Sequence, residues 1–175
     1  MPLPDYEIAK LAQTGMIEPF NSKRLNSFGY DITLGNKFMI PEFIICGIPV
    51  DPMKFDASLM VKKEHKQFCL VKPNSYILGC SLEYFKIPND ILGICIGRSS
   101  YARCGININI TPLEPGWEGN ITVEIISNNY LPVKVYVNKG IAQIIFFRGE
   151  LPNKNYVAKG GRYQGQTEVT LPKGV

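Results

Sequence analysis

Short segments rich in β-branched and aromatic residues dominate this chain. The predicted strands are residues 76–82, 91–96, 105–111, 120–126, 131–137 and 141–147. Proline, glycine and asparagine separate these segments at nearly even spacing, which is typical of turns between strands. Many short strands arranged in this way predict an all-β, mainly antiparallel fold that forms a distorted barrel or a sandwich.

One segment near the N-terminus is predicted to be a short helix. Ile8, Leu11 and Ala12 recur at helical spacing and form an apolar stripe. Asp5 precedes this stripe and is expected to cap the helix, whereas Gly15 follows it and is expected to end the helix.

Length and composition favour one folded domain that covers residues 1–175. The chain has 175 residues, of which 45% are hydrophobic and 19% are charged, as in proteins with a hydrophobic core. No basic segment followed by an apolar one opens the chain, and no apolar run reaches the roughly 18 residues that a membrane span needs. We therefore expect a cytoplasmic protein without a membrane partner.

The cysteine content and the charge indicate the redox state of the thiols and the class of ligand that the chain can bind. The five cysteines are odd in number and include no C-x-x-C pair, which predicts reduced thiols rather than a disulfide framework. The formal net charge is +4, and the basic residues are scattered rather than clustered. This distribution is compatible with a small phosphorylated ligand, and we expect no nucleic-acid partner.

Strand alternation predicts a polar side of the sheet. In the segment 105–111 the isoleucines face one side and the asparagines face the other. In the segment 120–126, Glu124 shares a face with Thr122 and Ile126. Apolar neighbours raise the pKa of a carboxyl group and suit it to acid–base catalysis near neutral pH. Periodicity alone favours the simpler alternative, in which Glu124 is a solvated strand residue.

The C-terminal residues 158–173, AKGGRYQGQTEVTLPK, have few apolar side chains and three glycines. This composition predicts a tail that is mobile without a ligand. A frayed terminus is one interpretation. A binding segment is the other interpretation, because hydrogen-bonding side chains are unusually dense for a terminus without a function. These side chains are Arg162, Tyr163, Gln164 and Gln166.

Several motifs follow one another in order: SFGYD at 27–31, GRSSYARCG at 97–105, TPLEPGWEGNITVE at 111–124, GIAQ at 140–143 and GRYQGQ at 161–166. Together they resemble the dCTP deaminases, which have the dUTPase-like trimeric β-fold. The resemblance extends from about residue 5 to the C-terminus. It implies hydrolytic deamination of dCTP to dUTP and ammonia in dUTP and dUMP biosynthesis.

The resemblance also implies the catalytic residues. Zinc deaminases activate water at an H-x-E…P-C-x-x-C site, but His65 is the chain's one histidine and no C-x-x-C pair exists, so no zinc is expected. By resemblance, Glu124 activates the water as acid and base. Ser99 would position this water, and Arg103 would hold both groups in place.

A larger set of residues is implied to bind the substrate. Arg98, Ser99 and Ser100 are expected to contact phosphates, and Mg²⁺ is expected only on the triphosphate. Residues 158–175 are expected to form a mobile lid, and dTTP is a plausible inhibitor. The full set comprises Arg98, Ser99, Ser100, Tyr101, Ala102, Arg103, Glu114, Thr122, Val123, Glu124, Tyr156, Arg162 and Gln166.

The family implies a homotrimer with active sites between subunits. The loop 111–115 is two residues shorter than in many relatives, and Glu114 stands where an aspartate is usual. A bifunctional deaminase–diphosphatase, which would release dUMP and pyrophosphate with Glu114 as a second base, is therefore an open alternative. A pure dUTPase and a non-enzymatic nucleotide-binding module are two others. Substitution of Glu124 by Gln separates an enzyme from a pure binder.

Overall fold

The computed structural model describes residues 1–42 and 49–174. Its N-terminal helix α1 spans Asp5–Gln13, and a single-turn helix α2 spans Ser99–Ala102. Within the described ranges, no helix is long and apolar enough to cross a membrane.

The C-terminal end of α1 is formed as predicted. Gly15 adopts a left-handed backbone conformation with φ of +93°. Its N–H donates to the carbonyl of Ala12 at 3.0 Å, and the N–H of Met16 donates to Leu11 at 3.1 Å. These two bonds satisfy carbonyls that the last helical turn leaves free, and glycine allows the required conformation without a steric penalty.

The predicted capping role of Asp5 is wrong. Asp5 is the first helical residue, Pro4 occupies the cap position, and no side chain caps the helix. The carboxylate of Asp5 instead accepts a hydrogen bond from the N–H of Tyr6 at 2.8 Å. The helix begins one residue earlier than predicted, because the carbonyl of Pro4 already accepts a hydrogen bond from Ile8 at 3.1 Å.

The rest of the chain is built from strands. They are β1 Ile17–Glu18, β2 Leu25–Asn26, β3 Gly29–Thr33, β4 Lys37–Pro41, β5 Met60–Glu64, β6 Phe68–Val71, β7 Ser75–Lys86, β8 Ile91–Gly97, β9 Ile106–Asn109, β10 Glu118–Ser127, β11 Val133–Tyr136 and β12 Gly140–Arg148. Every predicted strand is present; β9 and β11 are shorter than predicted, and β7, β8, β10 and β12 are longer. Strands β1 to β6 were not among the predicted segments.

Three antiparallel sheets result from these strands. The largest has the order β5-β4-β7-β10-β9, with β1 also paired to β7. A second sheet has the order β2-β3-β12-β8, and β11 pairs with β6 in a third. No sheet closes into a barrel within the described ranges. The prediction of an all-β, mainly antiparallel fold with one short N-terminal helix is confirmed.

The core lies between these sheets and follows the alternation of their side chains. Along β10, Ile121, Val123 and Ile125 are buried, whereas Thr122 and Glu124 are only partly buried. This is the alternation that the sequence predicts. Because successive side chains of a strand point to opposite faces, the core fixes which side of β10 is available to a ligand.

A buried carboxylate joins the two larger sheets. Glu83 of β7 is 1% exposed and accepts hydrogen bonds from the N–H of Thr33 at 2.8 Å and from its hydroxyl at 2.5 Å. Burial raises the pKa of Glu83, and the bonds from Thr33 oppose this effect. A carboxylate in the core requires such partners, because an unpaired buried polar group is costly.

The cysteines are free thiols where the structure describes them. Cys69 and Cys80 are buried, Cys95 is partly buried and Cys104 is exposed. Cys46 lies outside the described residues.

Candidate active site

A cavity of about 350 Å³ lies over the outer face of β10. Thr122 and Glu124 of β10 are part of its lining, as are Tyr76 and Leu78 of the neighbouring strand β7. Other lining residues come from the segment 110–113, from Phe55, Trp117 and Ile121, and from the C-terminal residues Tyr156, Tyr163, Gln166, Thr170 and Pro172. Apolar walls with a few convergent polar groups are typical of small-molecule sites.

Glu124 contributes a carboxyl group to the cavity lining, and this residue is partly buried. It lies opposite Leu78 on β7 and opposite Asn109 on β9. Burial raises the pKa of the Glu124 carboxyl group, and a hydrogen bond that Asn109 donates to it partly opposes this effect. A raised pKa makes a carboxyl group a better proton acceptor than a fully solvated one and suits it to acid–base catalysis.

The predicted catalytic residues Ser99 and Arg103 lie outside the lining of the cavity that contains Glu124 in the same chain. Both residues are exposed. Helix α2 precedes β9, whose first residue pairs with Ser127, three residues beyond Glu124 on β10. Helix α2 therefore lies next to β9 in the same chain.

Arg98 lies where three of the sequence motifs converge. Its guanidinium pairs with Asp31 of the SFGYD motif at 2.5 Å. It also packs on Gly140 of the GIAQ motif, where a Cβ atom would stand only 2.5 Å from Nη1 of Arg98. Glycine at residue 140 thus leaves room for the guanidinium.

The remaining predicted residues of α2 differ in their exposure to solvent. Ser100 and Ala102 are exposed, and they do not line the cavity. Tyr101 is partly buried, and its hydroxyl accepts a hydrogen bond from the N–H of Tyr136 at 3.1 Å. Tyr101 therefore anchors the segment to β11.

The C-terminal tail packs along the beginning of β10. Asn120 donates its N–H to the carbonyl of Gln166 at 2.7 Å and accepts a bond from the side chain of Gln166 at the same distance. The indole N–H of Trp117 donates to the carbonyl of Tyr163 at 3.0 Å. The hydroxyl of Tyr156 accepts a bond from the N–H of Tyr163 at 3.1 Å. That the tail is a mobile lid stays a prediction.

Four of the predicted substrate-binding residues line the cavity: Thr122, Glu124, Tyr156 and Gln166. Val123 is fully buried, and its side chain belongs to the core. Glu114 forms an ion pair with Lys159 at 3.3 Å, outside the cavity lining. Arg162 is exposed and donates to the carbonyl of Gly174 at 2.9 Å, also outside the lining.

Several residues of the site were not predicted. Asn109 contacts Glu124 directly, and Tyr76 and Leu78 line the cavity beside it. Alternation placed Asn109 on a polar face, but the register that sets it opposite Glu124 is a long-range property. The pairing of β7 with β10 is equally invisible in the local sequence.

Among residues 1–42 and 49–174, no group of three or more His, Cys, Asp or Glu side chains could hold a metal ion. Mg²⁺ on the triphosphate of a nucleotide stays a prediction.

Comparison with known proteins places these features in a family. A model of the dCTP deaminase-like family matches residues 2–149. The chain is 48% identical over 181 residues to a dCTP deaminase of Helicobacter hepaticus, covering 97% of this chain and 96% of that protein. It is 46% identical over 180 residues to a dCTP deaminase of Herpetosiphon aurantiacus, covering 97% of each.

A solved structure shares the fold. The 2′-deoxycytidine 5′-triphosphate deaminase of Agrobacterium tumefaciens superimposes with a TM-score of 0.69 at 16% sequence identity. The match covers 85% of this chain and 48% of the Agrobacterium chain. Because the family model matches most of the chain and the relatives match nearly all of it, this chain belongs to the dCTP deaminase-like family.

Proposed function

We propose that this chain is an enzyme that hydrolyses dCTP to dUTP and ammonia and serves the biosynthesis of dUTP and dUMP. The observation that carries the proposal is the position of Glu124, a carboxylate with a raised pKa in the lining of a largely apolar cavity. The names of the relatives, dCTP deaminases at 42–48% identity over nearly the whole chain, support the choice of substrate.

In the proposed reaction the carboxylate of Glu124 removes a proton from a water molecule and delivers it to N3 of cytosine. The resulting hydroxide adds to C4 and forms a tetrahedral intermediate. The C4–N4 bond then breaks, and Glu124 transfers the remaining hydroxyl proton to the departing amino group, which leaves as ammonia. A positioned group whose pKa lies close to the working pH suits such repeated proton transfer. No step of this reaction requires zinc.

The cavity suits the base and sugar of a deoxynucleotide. Thr122 offers a hydroxyl next to Glu124, and Tyr76, Leu78 and Ile110 offer apolar contact. Gln166 and Tyr156 border the same space from the tail. Because dTTP shares the sugar, the triphosphate and a pyrimidine ring, we propose that it competes for this cavity. Mg²⁺ would enter with the triphosphate.

We propose that the active enzyme is a homotrimer in which α2 of one subunit completes the cavity of its neighbour. Ser99 and Arg103 are exposed, and neither lines the cavity of its own chain. An apolar surface also supports assembly, because Leu92 and Ile96 of β8 are 36% and 53% exposed. Burial of such a surface against a second copy is favourable.

The proposal is tested by incubating purified protein with dCTP and Mg²⁺ in the presence of a zinc-selective chelator. Chromatography and an ammonia assay should show dUTP and ammonia in equal amounts. Glu124→Gln should lower turnover at least about a hundredfold while dCTP still binds, because it removes the acid–base group. Glu150→Gln, which alters an exposed carboxylate outside the site, is the matched control and should stay active.

Other outcomes of this experiment would favour one of the alternative functions. Formation of dUMP and pyrophosphate would indicate a bifunctional enzyme, with Glu114 as the residue to test next. Hydrolysis of dUTP without any reaction of dCTP would indicate a pure dUTPase. Binding of dCTP without turnover would contradict an enzymatic function and favour a nucleotide-binding module.

A further inference from the structure

The last described residues form a loop that is closed on itself. At its base, Arg162 donates to the carbonyl of Gly174 at 2.9 Å, and the ammonium of Lys173 donates to the carbonyl of Arg162 at 2.9 Å. The N–H of Lys173 donates to the hydroxyl of Tyr163 at 3.2 Å. We call residues 162–174 the tail loop. Because its two ends are bonded to each other, a contact at its far side affects the position of the whole loop.

The inner side of the tail loop is a wall of the cavity. Thr170 and Pro172 line the cavity that contains Glu124. The N–H of Thr170 donates to the hydroxyl of Thr122 at 3.1 Å. Thr122 stands two residues before Glu124 on the same face of β10. The distance between the loop and β10 therefore determines how much space remains beside the acid–base group.

Glu168 connects the far side of the tail loop to the edge of the large sheet. One carboxylate oxygen pairs with Lys37 of β4 at 2.5 Å, and the other pairs with Lys62 of β5 at 2.6 Å. The hydrogen bonds from Lys37 and Lys62 lower the pKa of Glu168 to about 2. Glu168 is therefore ionised at neutral pH, and its two lysine partners carry the opposite charge.

We propose that Glu168, Lys37 and Lys62 form an ionic latch that holds the tail loop against β4 and β5 and so positions Thr170 and Pro172 beside the nucleotide. The three side chains are positioning residues. The latch itself rests on the ion pairs alone, whereas its effect on nucleotide binding rests on the proposed function.

The exposure of the latch determines how strong it can be. The side chains of Lys37, Lys62 and Glu168 are 38%, 52% and 45% exposed. Exposed ion pairs contribute little and are screened by salt, so the latch should bias the loop by roughly 3- to 10-fold. A bias of this size suits a segment that opens each time a nucleotide enters or leaves. The latch should weaken as the ionic strength rises.

Hydrogen–deuterium exchange of the tail loop tests the latch without reference to activity. Glu168→Gln should accelerate exchange in the loop by roughly 3- to 10-fold at low salt. At 1 M NaCl the unchanged protein should exchange as fast as this variant. The inverted variant Lys37→Glu/Lys62→Glu/Glu168→Lys should regain protection, because it restores opposite charges. Glu150→Gln is the matched control and should leave exchange in the loop unchanged.

Steady-state kinetics then test the effect on the nucleotide. Glu168→Gln should raise the KM for dCTP by roughly 3- to 10-fold and change kcat little, and the inverted variant should reverse this rise. Unchanged exchange in Glu168→Gln would overturn the latch. Faster exchange with an unchanged KM would overturn the positioning role. Faster exchange in a protein that does not deaminate dCTP would support the latch and contradict the proposed function.

Discussion

Glu124 and Asn109 lie side by side on the paired strands β10 and β9. Burial raises the pKa of Glu124, whereas the hydrogen bond from Asn109 lowers it. The two effects act on the same proton, since burial favours the neutral carboxyl group and the amide stabilises the carboxylate. The hydrogen bond from Asn109 thus partly offsets the larger effect of burial on the pKa of Glu124.

Substitution of Asn109 by Leu should change the pH profile of deamination. Loss of the amide leaves burial unopposed, so the pKa of Glu124 should rise and the acidic limb of kcat/KM should move to higher pH. We expect kcat to fall roughly tenfold, which is the size of one lost hydrogen bond to a charged group. Kinetics between pH 5 and 9 would measure both effects.

Asn107→Leu is the matched control for this prediction. Asn107 lies on the same strand and the same exposed face but pairs with Ile126, not with Glu124. Its substitution should leave the pH profile unchanged. Equal profiles for the two variants would contradict a role of Asn109 in setting the pKa of Glu124.

Among the structural elements, the turn that leads into the tail depends on the contact between Tyr156 and Gly161. A Cβ atom on Gly161 would stand 2.0 Å from the ring of Tyr156. The N–H of Gly161 also donates to the carbonyl of Tyr156 at 3.0 Å. The ring of Tyr156 therefore packs against Gly161 in the turn. Tyr156 thus lines the cavity and also contacts the turn that leads into the tail.

Substitution of Gly161 by Ala should displace the tail without unfolding the core. The added methyl group needs the space that the ring of Tyr156 occupies, so the ring or the turn must move. We expect the KM for dCTP to rise about tenfold, since the tail lines the cavity, while the melting temperature changes little. Gly149→Ala is the control, because nothing lies within 4 Å of a Cβ atom there. Equal KM values for the two variants would contradict this role of the turn.

The sequence predicts the strands and their faces better than it predicts which strands pair with one another. Alternation along β10 identified the face of Glu124, because side-chain period is a local property of a strand. The same reasoning could not place Leu78 opposite Glu124, since register depends on contacts between distant segments. The motifs marked Asp31, Arg98 and Gly140 separately, and only the fold shows that they meet. Predictions from local sequence also fail in places. Asp5 is predicted to cap the helix, but Pro4 occupies the cap position.

At the scale of the whole molecule, the residues predicted for the site form two groups, and only one group lines the cavity. Thr122, Glu124 and Gln166 line one cavity. Ser99 and Arg103 are exposed, and they do not line this cavity. A second copy that brings its α2 to the cavity would join the two groups of residues, as the proposed assembly requires.

The assembly predicts that two inactive variants restore each other's activity. Glu124→Gln retains Arg103, and Arg103→Ala retains Glu124, so a mixed oligomer contains some sites with both residues. In a trimer that contains both variants, one site of the three combines Glu124 with Arg103, so about one third of the sites in the isolated mixed oligomers should be intact and active. The measurement is dCTP deamination after co-expression with two affinity tags, so that mixed oligomers are isolated. A mixture of Glu124→Gln with Glu124→Ala is the control and should stay inactive, because it restores no carboxylate. Purified mixed oligomers without activity would show that Arg103 and Glu124 do not meet between subunits.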